Sequence, residues 1–420
     1  MKKLILFIFL TTQIVVGFSQ TPIEGMINSN TTLTKAKSPY LVTGDLVVFP
    51  NCKLTIEPGV KLRFANDVLL QIRGTLEAIG TEDNPILFIS NTGNTMGLWK
   101  GIEILDHIGG SASFNYCNFS HAQFVIAGFF VVKNSNFTFN EWALSGYNST
   151  VDSCYFANND ICVGSVGIIN NCVFENNSYG TYYTSDTHIS NSIFINHSHI
   201  ALLGRGTLSN CVISDNNIGV FMSPGGFSIK NCDISNNQIG VDLLNDYYGV
   251  PLNMDLITNS KICNNKIYNV KYHSMSNVDL YTVCWCSSDS ATVENLIYDA
   301  YDDIWLGFVN YTLFSEDCTE AIFKTHKAEG YTEYLGVNDF SKEEIIIYPN
   351  PASSTIFISN AEKINSISIY DYTGKLLMNK SGFHNDLIEL NVSEFPLGLY
   401  IVRLENQNNT IDFKKVIIAR

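Results

Sequence analysis

The stretch IINNCVFENN, residues 168–177, returns in altered spelling as ISNSIFIN at 189–196, LSNCVISDN at 208–216 and IKNCDISNN at 229–237. Aligned on the small residue, the series runs Cys117, Ser135, Cys154, Cys172, Ser192, Cys211, Cys232, with steps of 18, 19, 18, 20, 19 and 21, and Ser260 continues it. Self-similarity at about 20 residues is the mark of stacked supersecondary units. Two residues further on come Phe119, Phe137, Phe156, Phe174, Phe194, Ile213, Ile234 and Ile262. A step of two puts the small and the large residue on one face of a strand. Asparagine follows at the turn, as Asn140, Asn158, Asn176, Asn196, Asn216, Asn236 and Asn264. Eight residues after the small position stand Ala143, Cys162, Gly180, Ile200, Gly219 and Gly240, followed by Leu144, Val163, Thr181, Ala201, Val220 and Val241.

Helical spacing is absent, and two short strands with a turn recur in step. The pattern predicts an all-β fold, a right-handed parallel β-helix in which each strand pairs with its equivalent one coil above and below, about 4.8 Å away. Inward positions then stack like on like. Cys or Ser suits a crowded column, Phe or Ile fills the centre, and Asn tolerates left-handed backbone and can bond to the next coil's Asn. The Cys column reads as core, and stacked side chains pointing one way do not form disulfides with each other.

Composition agrees. Of 420 residues, 45% are hydrophobic and only 15% charged, with a formal net charge of −15. That suits a β-rich extracellular protein, and without a basic stripe nucleic acid is a poor partner. Residues 1–19 read as a secretion signal. Lys2 and Lys3 precede an apolar run too short to span a bilayer, and Gly17 and Ser19 stand before a cut at Gln20. No transmembrane segment is expected later.

The coils resemble the pectate-lyase-like β-helix repeat, on the residues Asn170 to Thr181. The N-terminal region, with Leu54-Thr55-Ile56-Glu57-Pro58-Gly59-Val60 and Trp99-Lys100-Gly101-Ile102, resembles the opening of such proteins in Bacteroidetes-type bacteria. The expected organisation is an N-terminal cap and first coils at 20–112, the β-helix with its C-terminal cap at 113–324, and a linker at 325–344. Around Cys284-Trp285-Cys286 the stack ends, and Cys318 could pair with Cys284 or Cys286.

Residues 345–420 hold about seven short alternating segments, the pattern of a small Ig-like β-sandwich. They resemble the type A C-terminal sorting domain of the type IX secretion system. The matching residues are Pro349, Asn350 and Pro351 after Tyr348, Gly398 and Tyr400 after Pro396-Leu397, and Lys414-Lys415 near the end. The resemblance implies the secretion machinery as partner and a protein secreted or displayed on the outer-membrane surface.

Fold alone does not fix activity on such a scaffold. Asp186, His188, His197, His199 and Arg205 fall in neighbouring coils and could line one outer face as an acid–base or metal site. Against this, His197 takes the register position held elsewhere by Asn177, Asn217 and Asn237, as a turn residue would. Tyr182, Tyr183, Tyr247 and Tyr248 offer aromatic faces suited to sugar rings, the last two in an insertion that breaks the period. Asp299, Asp302 and Asp303 could hold calcium or form a structural turn. The preferred reading is a non-catalytic protein that binds polysaccharide or cell-surface glycan. The alternative is a polysaccharide lyase or glycoside hydrolase, with Asp186, His188, His197 and Arg205 as catalytic candidates.

Overall fold

The computed structural model describes residues 20–244, 256–280, 282–311, 318, 346–348, 352–359, 364–371, 375–382, 388–406 and 411–418. The expected signal (1–19), the linker (325–344), Tyr247, Tyr248 and the Pro349-Asn350-Pro351 motif lie outside them. The described residues form two compact units, one up to Cys318 and one from Ile346 onward.

The first unit is a parallel β-solenoid of about 12 turns. Each coil contributes to three sheets. In one coil the chain passes through 168–170, then Val173–Glu175, then Tyr179–Thr181. These pair in parallel with 188–190, Ile193–Ile195 and Ile200–Ser209 of the next coil. The second sheet carries the Phe column in register: Phe119, Phe137, Phe156, Phe174, Phe194, then Ile213, Ile234 and Ile262. The Phe rings stack with centroids 4.4–4.8 Å apart from Phe88 to Phe194. All are buried.

The small column has a polar task as well as a steric one. Between the first and second sheets the chain turns a corner, and the corner amide needs an acceptor. Ser Oγ of the following coil supplies it: Cys117 N donates to Ser135 Oγ (3.0 Å), Cys172 N to Ser192 Oγ (3.1 Å) and Cys232 N to Ser260 Oγ (3.0 Å). Cys154 N uses Cys172 Sγ at 3.4 Å.

Asparagine forms two adjacent columns rather than one. Asn158, Asn176, Asn196, Asn236 and Asn264 have left-handed backbone, with φ of 55–62°. The residue after each enters the interior. There Asn140 N donates to Asn159 Oδ1, Asn159 N to Asn177 Oδ1, Asn216 N to Asn237 Oδ1 and Asn237 N to Asn265 Oδ1, at 2.8–3.0 Å. Asn140 and Asn216 belong to this buried ladder and not to the turn column.

Fixed offsets fail in one coil. Leu202, not Ala201, takes the ladder position opposite Val220, because the corner at His197-Ser198-His199 holds one residue more. His197 stands five residues after Ser192 as Asn216 does after Cys211, so Asn216 and not Asn217 is its equivalent.

At the far end two disulfides close the stack, Cys284–Cys318 and Cys263–Cys286. Cys318 therefore takes one of its two expected partners, and Cys263 enters as the partner of Cys286. Three of these sulfurs lie within 4.8 Å of one another, but as disulfides they offer no thiolate to a metal. The other seven cysteines are free and all but Cys52 are buried. Burial pushes the thiols of Cys117, Cys162, Cys172 and Cys232 well up. Thiolate being the reactive form, native protein should take up at most one alkyl group, at Cys52. The non-reduced protein in denaturant should take up seven, read by intact mass. Rapid native labelling of more than one cysteine would contradict the solid column.

The second unit pairs Ile346–Tyr348, Thr355–Ser359 and Ile388–Asn391 in one antiparallel sheet. Leu376–Ser381, Ile364–Asp371, Gly398–Asn406 and Ile411–Ile418 form another. Ile356, Ile358, Ile367, Leu390, Val402 and Val416 fill its core. Tyr400 is buried there and its hydroxyl donates to Pro396 O at 2.6 Å. Gly398 starts its strand opposite Ile418, and Lys414 and Lys415 pair with Val402 and Ile401 in register.

Candidate functional site: an aromatic groove on the third sheet

The outward position that opens each strand of the third sheet forms a ladder of its own. It runs Phe124, Trp142, Ile161, Tyr179, Ile200, Ile218, Ile239, Tyr268 in register. Alternation turns these side chains away from the core, and they remain partly or fully exposed, Phe124 at 44%. The aromatic ones touch. Phe124 stacks on Trp142 (5.5 Å between centroids) and Tyr182 meets Trp142 edge-on (5.8 Å). Tyr179 contacts Tyr182 (5.1 Å) and stacks on His199 (5.2 Å). Tyr183, exposed, stands edge-on to Tyr182 at 4.7 Å.

The residue before each ladder position makes a polar rim, with Gln123, Glu141, Asp160 and Ser178 in consecutive coils. Rim and shelf enclose a groove of about 500 Å³ lined by Met96, Gln123, Phe124, Glu141, Trp142, Asp160, Ile161 and Ser178. Two features fix its shape. Trp142 Nε1 donates to Leu144 O at 3.0 Å, and the indole lies over Gly164, where a Cβ would come within 2.9 Å of Cζ2. At Gly97, with φ +75°, a side chain would collide with the Glu141 carboxylate, so the Met96 loop closes on that carboxylate as a wall. Neither Glu141 nor Asp160 is in a salt bridge among the described residues.

Of the tyrosines singled out in the sequence, Tyr182 and Tyr183 therefore flank this groove. The acid–base neighbourhood is divided. His188 is exposed on the outer face of the first sheet, with Nδ1 2.7 Å from Thr207 Oγ1. Asp186 and Arg205 are exposed on the corners beside it. His197 is buried inside the solenoid, in the Asn ladder, and does not share their surface. Asp299 is buried and accepts from Tyr301 N (2.9 Å) and Val309 N (2.8 Å), while Asp303 accepts from Trp305 N (3.1 Å). Those carboxylates fix a turn.

Sequence reasoning missed Phe124, Trp142, Glu141 and Asp160. Their signal was present: Trp142, Ile161 and Tyr179 each stand one place before a buried small residue, Ala143, Cys162 and Gly180, and so on the opposite face of the strand. It also missed a second cluster. Asp242, Lys271 and Tyr298 are neighbours on the outer face of the last coils, and His273 Nε2 lies 3.1 Å from Asp242 Oδ1. Burial raises the Asp242 carboxyl above its ordinary range against the pull of His273 and Lys271. The irregular period beyond Ser235 hid that alignment.

Comparison with known proteins places both units. Residues 25–128 match the family model of the pectate-lyase like beta helix domain, and residues 346–419 match that of the secretion system C-terminal sorting domain. A stretch of 72 residues is 43% identical to Protein bark beetle of Drosophila melanogaster, covering 17% of this chain and 2% of that protein. Another comparison gives 34% identity over 84 residues to an endo-acting ulvan lyase of Formosa agariphila, covering 19% of this chain and 16% of the lyase. The chain thus spans a small part of the curated relatives it matches, and neither match is long enough to cover both domains. It carries a pectate-lyase-like β-solenoid and a type IX secretion sorting domain. The sorting domain directs it through that machinery to the cell surface or the medium. Among the described residues no helix is long and apolar enough to cross a membrane.

Proposed function

We propose that this exported protein binds glycan without cleaving it, along the aromatic shelf of the third sheet. The observation that carries the reading is the contact series Phe124–Trp142–Tyr182–Tyr179, with Phe124 exposed and the other three half-buried, on a sheet whose rungs repeat at the inter-strand distance of about 4.8 Å. That interval is close to the length of one pyranose unit, so an extended chain lying along the solenoid axis would pass Phe124 and Trp142 on two successive rungs, Ile161 on the next and Tyr179 on the one after. Aromatic faces bind the C–H faces of sugars, and the rim supplies hydrogen-bond partners beside them. A ladder of outward apolar residues also stabilises a parallel sheet, so the shelf needs a binding test.

The test is retention of the full chain on a panel of plant, algal and bacterial polysaccharides, with and without calcium. Trp142→Ala is expected to weaken retention about tenfold or more, by analogy with loss of a buried aromatic anchor. Equal retention of wild type and Trp142→Ala on every polysaccharide would remove the shelf from consideration.

A second reading, a polysaccharide lyase or glycoside hydrolase, is favoured by the lyase relative and by exposed His188 on the first sheet with Asp186 and Arg205 on the corners beside it. In the same tubes, new reducing ends or unsaturated uronate absorbance that vanish in His188→Ala would replace binding with catalysis.

A further inference from the structure

The charge of the groove carries the binding reading one step further. Eight residues line it, two of them carboxylates, Glu141 and Asp160, and none a lysine or arginine. The two carboxylates occupy the same register position in adjacent coils, about 4.8 Å apart in rise. Both are exposed and neither is in a salt bridge among the described residues. The next rim positions are Ser178 and His199, which bring no fixed positive charge. On the other side Lys100 stands one coil beyond Gln123, outside the lining. The chain as a whole carries −15. A glycan with a carboxylate or sulfate on each unit would place a like charge beside Glu141 and Asp160, an arrangement that costs free energy where water is partly excluded. A neutral sugar has only hydroxyls to offer. Those hydroxyls donate to a carboxylate in charge-assisted bonds, stronger than bonds to a neutral acceptor.

We infer that the groove selects neutral polysaccharide and rejects polyanionic chains such as polyuronates and sulfated glycans. This rests on the binding reading above and names the ligand class of the same site. The aromatic shelf supplies the attraction common to all sugars, and the two carboxylates supply the discrimination. Hydroxyl pairs on adjacent carbons can donate to the two oxygens of one carboxylate.

The experiment compares the full chain on a neutral glucan or mannan and on a polyuronate and a sulfated galactan, at low and high salt. Expected is retention on the neutral polymer about tenfold stronger than on either polyanion at low salt, the gap shrinking as salt screens the repulsion. Glu141→Gln with Asp160→Asn should narrow the gap from both sides, strengthening polyanion retention and weakening neutral retention. Circular dichroism of that variant, unchanged, separates lost charge from lost fold. Polyanion retention equal to neutral retention at low salt overturns the inference and leaves glycan binding standing. Polyanion retention that appears only with calcium overturns it too, and makes the carboxylates a cation bridge. Retention of no polymer at all, with Trp142→Ala no different from wild type, overturns the binding reading itself and the inference with it.

Discussion

Phe156→Ala should lower the unfolding free energy of the solenoid by about 3–5 kcal/mol, the usual cost of removing a fully buried aromatic ring. Phe156 is fully buried and sits between Phe137 and Phe174 at centroid distances of 4.8 and 4.6 Å. The rigid backbone pairing of Tyr155–Ala157 to both neighbouring coils prevents the walls from closing on the void. A solenoid transmits the loss only through adjacent coils. The break therefore falls on the contacts of one coil with the next on either side. Urea denaturation followed by far-UV circular dichroism would read the shift, with Tyr147→Ala as reference. Tyr147 is 72% exposed and its loss should stay within about 0.5 kcal/mol. A Phe156→Ala shift as small as the Tyr147→Ala shift would mean that the column is filled loosely and that the stacking order is incidental.

The same column explains why the fold was legible and the site was not. An inward position in a β-solenoid meets its own equivalent above and below, so selection for packing writes the same residue type again at each coil. Phe119 to Phe194 is readable for that reason, and so are Cys117 to Ser260. The outward ladder is held by weaker requirements. Trp142, Ile161, Tyr179 and Ile200 share apolar character but not identity, and a reader counting identities passes over them. Corners escape in another way. An inserted residue costs little at a surface turn yet shifts the offsets that follow it in the same coil by one. The corner at His199 did this to Ala201. Geometry restored the register because backbone hydrogen bonds, such as Ile218 N to His199 O at 3.0 Å, count coils rather than residues. Asp242 and His273 lie 31 residues apart in a stretch whose period had already broken, so no offset joined them.

His197→Asn should stabilise the protein, and should do so most in acid. His197 stands in the buried Asn ladder, where its backbone N–H and its Nδ1 both contact Asn216 Oδ1 at 2.9 Å. Asn216 Nδ2 donates to Phe194 O and Asn237 Oδ1, so Asn216 Oδ1 is the acceptor and Nδ1 carries the proton. Nε2 is left with a lone pair, buried and without a partner. The ladder is thus split. Bonds run from Asn140 to Asn177 and again from His197 to Asn269, and the two runs do not join. An asparagine at 197 would offer Oδ1 to Asn177 N as the other coils do, removing an orphaned buried group at a gain of about 1–3 kcal/mol. Acid enlarges the difference. Burial holds the His197 imidazole down at about 4, against 6.5 in an exposed histidine. Above the unfolded value neither state is charged and the residue adds no pH dependence. Between 6.5 and about 4 the unfolded chain binds a proton that the folded chain refuses, so stability falls as pH falls, by about 3 kcal/mol across the window. Below about 4 both states are protonated and this contribution levels off. Wild type and His197→Asn should therefore differ little in slope from neutral pH upward and diverge steadily below 6.5, as read by urea midpoints at a series of pH values. Parallel curves through that window would mean that water or a neighbouring group already satisfies Nε2, and that the ladder tolerates histidine as well as it does asparagine.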